Sequence, residues 1–226
     1  MTGDIRLAVL DMAGTTVSDD GVVMAAFRQA LDAVGGAPGG AGGKDPEEFL
    51  VKTMGQSKIE VFTELFGGDE AKAARANAAF EAAYGRSIAN GALHPIPGAE
   101  ETMAALRHAG VAVCLTTGFA PATRHAVLDA LGWTSSVDLS LSPADAGRGR
   151  PWPDMVLTAV LRLEVDDVHE VAVVGDTAND LLSGWRAGAG VVAGVLTGAH
   201  GRARLEAVPH THILSGVSEV PGVVLA

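Results

Sequence analysis

The 226-residue chain has one cysteine, no run of lysine or arginine and no long apolar stretch. Each shortage excludes something. The lone Cys114, inside "GVAVCL", rules out an internal disulfide and suits a buried thiol in a reducing compartment. With 16 basic against 27 acidic residues the formal charge is −11, so a nucleic-acid or anionic-membrane surface would lack its electrostatic driving force. A small-molecule partner is the expectation. The longest apolar stretch, "AGAGVVAGVL", falls far short of the roughly 18 residues of a membrane span. No basic-then-apolar leader opens the chain, which makes a soluble, cytoplasmic protein the expectation. No repeat of fixed period is present, and no G-x-G-x-x-G follows the first apolar run, which counts against dinucleotide binding.

What is present is an alternation. Apolar runs of strand length lie at "RLAVL" (6–10), "VAVCL" (111–115), "VAVVG" (171–175) and "VVAGVL" (191–196). Segments of helical periodicity separate or follow them: "AEETMAALRHAG", "PATRHAVLDALG", "PDMVLTAVLRL" and "NDLLSGWRAG". Near-continuous apolar strands interleaved with helices predict an α/β fold with a parallel sheet covered on both faces. Between the first strand and "HPIPG" (94–98) only helices are predicted, at 22–34, 45–53, 57–66 and 69–90. The core domain is therefore 1–17 plus 93–226, and 18–92 is an inserted α-helical cap domain. "GGAPGGAGG" (35–43) is too glycine-rich to order itself and reads as a mobile connector.

Ligands of an open parallel sheet bind beyond the carboxyl ends of its strands. Polar residues gather there: Asp11 after the first strand, Thr116 and Thr117 after the second, and "GDTAND", with Asp176 and Asp180, after the third. Taken singly, each is an ordinary helix cap; three at one edge form a site. Asp11 and Asp176 side by side are costly without a cation between them, and magnesium, which prefers oxygen ligands, fits. Asp180 is placed to hold a metal-bound water or to orient a basic side chain. That basic group comes from "GRGRPWPDM": Arg150, before Pro151, is placed to meet a phosphoryl oxygen, with Arg148 as its competitor.

Asp11 with "GTT", Thr116, Arg150 and "GDTAND" resemble, in order, the four signature motifs of the haloacid dehalogenase superfamily, with a helical cap inserted after the first. The resemblance implies a Rossmann-like core, an aspartyl-phosphate formed on Asp11, and Mg2+ held by Asp11, the Ala13 carbonyl and Asp176, with Asp180 supporting through water. Two features narrow it. The second aspartate of the first motif is here Ala13, and the third-motif lysine is Arg150; both are similar to the phosphonatase-like hydrolases, whose first motif reads Asp-x-Ala-Gly-Thr-Thr. Their cap lysine, in Met-Gly-x-x-Lys, corresponds to Lys58 in "MGQSKIEVF", which opens at Met54.

The chemistry agrees with that narrowing. An alkoxide leaving group needs a proton donor, worth roughly 10²- to 10⁴-fold, and Ala13 cannot donate. A carbon leaving group needs an electron sink, which a lysine imine beside a carbon–phosphorus bond supplies. Lys58 would then react as an unprotonated amine, its pKa brought from about 10.4 toward about 7 to 8. Backbone N–H groups of Met12, Ala13 and Thr117 and the Thr116 hydroxyl are expected to bind phosphoryl oxygens, with Gly14 making the tight turn and Gly118 admitting the ligand. The resemblance is broken where the relatives carry a histidine at Val61, a tyrosine at Phe119 and a cysteine at Gly21. The resulting expectation is hydrolysis of a 2-oxoalkylphosphonate, the alternative being a magnesium-dependent phosphatase acting on a small phosphomonoester. A haloacid dehalogenase would have little use for the acid pair, and a phospho-accepting receiver would lack the insertion. A homodimer through cap helices such as 22–34 is implied by resemblance, and His200, His210 and His212 read as surface positions because their spacing is irregular.

Overall fold

The computed structural model describes residues 4–18, 20–36 and 45–226. Six strands form one parallel sheet: β1 (Leu7–Asp11), β2 (Ala112–Thr116), β3 (Leu139–Leu141), β4 (Val171–Gly175), β5 (Val191–Val195) and β6 (His212–Leu214), in the order β3-β2-β1-β4-β5-β6. Every residue of β1, β4 and β5 is buried, as two covered faces require. The chain leaves β1 toward β2 on one side and later returns to place β4 on the other. That reversal opens a crevice at the ends of β1 and β4, where an open parallel sheet binds its ligand.

Of the five helices described between β1 and β2, the first four are α1 (Val22–Ala33), α2 (Pro46–Thr53), α3 (Lys58–Leu65) and α4 (Glu70–Ala89). Their starts follow local chemistry: Asp45 caps α2 with Pro46 at its first position, and Asp69 accepts from the Lys72 N–H at the start of α4. Phe27, Phe62 and Phe80 join α1, α3 and α4, and Tyr84 extends the cluster to Phe119 of the loop after β2, with ring centroids 4.5 Å apart. One apolar cluster thus runs without a break from the helical unit to the sheet. Its aromatic members contribute about 1.5–3 kcal/mol each by burial.

Seven further helices complete the fold. They are α5 (Ala99–His108), α6 (Pro121–Leu131), α7 (Pro143–Ala146), α8 (Asp154–Arg162), α9 (Ala178–Ala187), α10 (Arg202–Glu206) and α11 (Pro221–Val224). Helices α1 to α6, α8 and α9 and the four long strands fall within a residue or two of their expected limits, whereas the short helices α7, α10 and α11 were not anticipated. The three-residue strands β3 and β6 were not anticipated: both are short, and both lie at sheet edges where the apolar run is interrupted. Of the glycine-rich connector, 37–43 lies outside the described residues; Gly35 and Gly36 have left-handed backbone. On α1, the expected subunit contact, Arg28 and Gln29 pair with Glu47 and Arg86 of the same chain. Among the described residues, no helix is long and apolar enough to cross a membrane.

Candidate active site

Asp11 and Thr116 end neighbouring strands in direct register, and Asp176 follows the last residue of β4. Sheet geometry alone therefore brings the three together. Asp180 is added by the first turn of α9, where Thr177 and Asp180 form a reciprocal capping box. Arg150 reaches in from the loop before α8. Its Nη2 lies 2.7 Å from Asp11 Oδ1 and donates to Thr116 Oγ1 at 2.6 Å, while its Nε lies 2.8 Å from Asp180 Oδ1. Of Asp180's two expected roles, orienting a basic side chain is the one the geometry displays. Arg148 is elsewhere: exposed, bonded to Asp154 and stacked over Trp152.

The electrostatics follow from enclosure. Asp11, Asp176, Asp180 and Arg150 are all buried, so three carboxylates face one guanidinium and two formal negative charges are left over. Burial drives the Asp11 carboxyl well above its ordinary range, with Asp180 and Asp176 adding to the rise and Arg150 opposing it. Burial, then Asp180, pushes Asp176 up to about 7 against the Ala199 N–H that its Oδ2 accepts at 2.6 Å. Burial by itself would lower Arg150, and the charges of Asp11, Asp180 and Asp176 more than reverse that. A divalent cation fits this donor set: all three residues offer oxygen, one atom of each lying within 4.8 Å of the others, and the surplus charge is what a 2+ ion would neutralise.

The "GTT" turn supports the acids. Gly14 takes a φ of +89°, and a Cβ there would come within 2.6 Å of Asp176 Oδ2, so only glycine fits. Thr16 Oγ1 donates to the Asp11 carbonyl at 2.9 Å, and Thr15 Oγ1 to Asp176 Oδ1 at 3.4 Å. The expected N–H cradle is only partly available. The Met12 and Thr117 N–H groups donate to the carbonyls of Thr116 and Leu141, because sheet pairing runs one residue past the strand ends, and Met12 is buried in the core rather than lining the cavity. Ala13 does line it, and the two bonds of its bridge to Val17 are made by Met12 O and Gly14 N, leaving its own carbonyl out of that pairing.

A cavity of about 260 Å³ opens over these groups, with Asp11, Ala13, Asp176 and Arg150 on the sheet side and Met54 and Lys58 on the helical side. Lys58, the first residue of α3, is 4% exposed, and its Nζ lies 5.7 Å from the centre of the Phe119 ring. Val61 is buried in the apolar cluster, whereas Gly21 precedes α1 in left-handed backbone. Gly118 differs from expectation: the close approach it permits is by the backbone of the helical unit, since a Cβ would stand 2.2 Å from the Gln56 carbonyl oxygen. His200 is a correction. It is buried, its Nδ1 accepting from the Ala178 N–H at 2.9 Å and its Nε2 bonding the Val51 carbonyl at 2.9 Å, because the turn after β5 folds back under α2. Asn179 was missed although it stands inside "GDTAND"; only the acids of that motif carried a chemical signal.

The model of the haloacid dehalogenase-like hydrolases matches residues 5–188. The chain belongs to that family. Two curated relatives are each 36% identical: "Probable phosphatase IndB" of Dickeya dadantii over 126 residues, 56% of this chain and 54% of that protein, and a phosphonoacetaldehyde hydrolase of Parabacteroides distasonis over 109 residues, 47% and 40%. The matched stretches span about half or less of the length of these relatives. The crystal structure of a phosphonoacetaldehyde hydrolase-like protein from Oleispira antarctica superposes with a TM-score of 0.83 at 23% identity, covering 99% of this chain and 92% of that one, which establishes a shared fold. The chain is thus a haloacid dehalogenase-like hydrolase of α/β fold.

Proposed function

We propose that this hydrolase cleaves the carbon–phosphorus bond of a 2-oxoalkylphosphonate, with Asp11 as nucleophile, Lys58 as imine-forming amine and residues 18–92 as the cap over the site. The observation that carries the reading is the pairing of a buried lysine with a missing acid: Lys58 lines the same cavity as Asp11, and position 13 offers only a methyl group.

The steps follow from those residues. The Lys58 amine adds to the substrate's carbonyl carbon and water leaves, giving an imine. An Asp11 carboxylate oxygen then attacks phosphorus, the carbon–phosphorus bond breaks, and its electron pair passes to the imine to form an enamine. Protonation of the enamine carbon and hydrolysis of the resulting imine release the carbonyl product, and water hydrolyses the aspartyl phosphate. Arg150 orients Asp11 and neutralises charge developing on the phosphoryl oxygens. Asp11, Asp176 and the Ala13 carbonyl would hold Mg2+, with Asp180 behind them; when bound, the ion neutralises negative charge where the phosphoryl group meets the carboxylates.

Sodium borohydride added with phosphonoacetaldehyde is expected to fix the reduced adduct on Lys58, read by peptide mass, and Asp11→Asn is expected to abolish turnover while the protein stays folded. An unmodified Lys58 alongside rapid turnover of sugar phosphates would remove the phosphonate reading. The second reading, a phosphatase for small phosphomonoesters, is favoured by the 36% identity to the relative named as a phosphatase, and that same outcome would establish it.

A further inference from the structure

Lys58 can serve any chemistry only if the short link that carries it is held down on the sheet. That link, Met54 to Ser57, joins α2 to α3 with two local backbone bonds, Gln56 N–H to the Thr53 carbonyl at 3.1 Å and Val61 N–H to the Ser57 carbonyl at 3.0 Å, and Ser57 at the start of α3 makes no side-chain capping bond. Its backbone is also held by residues from the other side of the cavity. Asn179 Nδ2 donates to the Met54 carbonyl at 2.6 Å, Arg150 Nη1 donates to the Gly55 carbonyl at 3.2 Å, and the Lys58 N–H donates to the Gly118 carbonyl at 3.2 Å.

Asn179 stands apart among these. It is 7% exposed and occupies the second position of α9, between Asp176 and Asp180. Both ends of its carboxamide engage the link: Nδ2 meets Met54 O, and Oδ1 accepts from Gln56 Nε2 at 3.4 Å. A carboxamide carries its donor and its acceptor on separate atoms, so it can grip a carbonyl and an amide on the same stretch of chain. Because it is rooted in the turn that also carries the acids, the position of that turn and the position of Lys58 are mechanically joined.

We propose that Asn179 is a positioning residue that fixes Lys58 over Asp11 by holding the Met54–Ser57 link to the first turn of α9. The inference rests on the reading of Lys58 as the reacting amine. A misplacement of about 1 Å costs on the order of 10²-fold in rate, so loss of the grip should appear in kcat and far less in KM.

The test uses the full chain with Asn179→Leu, which keeps the volume and removes both hydrogen-bonding ends, and Asn179→Asp, which keeps the shape and removes the donor to Met54. In both, amide hydrogen exchange at 54–58 is expected to quicken while β1 and β4 stay as protected as in the wild type. With phosphonoacetaldehyde, kcat and the rate of borohydride fixation on Lys58 are expected to fall about 10- to 100-fold, with KM changed less than threefold. Unchanged exchange at 54–58, or a fall in turnover carried by KM alone, would overturn the positioning role. Should Leu prevent folding, Asp decides. If the wild type itself is never modified at Lys58, it is the imine reading that fails, and the exchange measurement still decides whether Asn179 holds the link.

Discussion

Arg150 Nη2 lies 2.7 Å from Asp11 Oδ1 with both side chains buried, so the expected nucleophile and the cation that faces it are one enclosed ion pair. The same guanidinium meets Asp180 through Nε and donates to Thr116 Oγ1 through Nη2. Removing it leaves two carboxylates buried without their counter-charge, a loss of about 3–5 kcal/mol. Arg150→Ala should therefore melt roughly 6–20 °C lower, by calorimetry, than the wild type. Arg150→Lys should recover only part of this, because an ammonium is a single point of charge and cannot present separate edges to Asp11 and Asp180. A Tm within 2 °C of wild type for the alanine variant would show that the pair contributes nothing net to stability.

Much of this arrangement is legible in the residues, and the rest is not for physical reasons. β1, β2, β4 and β5 are continuous apolar runs, which only a sheet covered on both faces demands, and Asp11, Thr116 and Asp176 are the polar residues that end three of them. Lys58, singled out by its Met-Gly context, lines the same cavity as Asp11. The pairing that absorbs the Met12 and Thr117 N–H groups was not legible, since it depends on register beyond the strand ends. Asn179 and His200 were equally hidden: their partners are backbone carbonyls of Met54 and Val51, distant in sequence, and no periodicity marks a side chain that bonds to main chain across a docking interface.

Asp176 gives the site a pH dependence whose sign can be worked out. Its pKa of about 7 in the folded protein lies above the ordinary 3.8. Between those values the folded protein holds a proton that the unfolded chain has released, so stability falls as pH rises through the window and levels off above 7. Burial moves Asp11 in the same direction. Without divalent cations, Tm should therefore be lower at pH 8 than at pH 5. Added MgCl2 competes with those protons, so its stabilising effect should be greater at pH 8 than at pH 5. Thermal scans at the two pH values, with and without magnesium, decide; a Tm gain from magnesium that is equal at both would separate the cation from these carboxylates.

Ala13 lines the same cavity as Asp11 and Asp176. Ala13→Asp should add the missing proton donor. Hydrolysis of 4-nitrophenyl phosphate and small sugar phosphates is expected to rise about 10²-fold relative to cleavage of phosphonoacetaldehyde. The fourth carboxylate should also lower Tm, by adding like charge to a buried cluster. Equal changes in the two activities would mean that the absence of an acid at 13 has no part in selecting the leaving group.

Gly118 offers the sharpest test of how the helical unit meets the sheet. A methyl group there would stand 2.2 Å from the Gln56 carbonyl oxygen and 2.9 Å from its carbon, both backbone atoms that cannot rotate away. The collision lies two residues before Lys58, whose N–H donates to the Gly118 carbonyl at 3.2 Å. Gly118→Ala must therefore lift the link between α2 and α3, whose backbone atoms are the three nearest to the new methyl. With Lys58 as the proposed imine-forming amine, turnover of phosphonoacetaldehyde should fall about 10²-fold, the effect of displacing it by about an ångström. Amide exchange at Lys58 should quicken in the same variant, with β1 and β4 unchanged. Wild-type turnover in Gly118→Ala would show that the link need not rest on this loop for the chemistry to proceed.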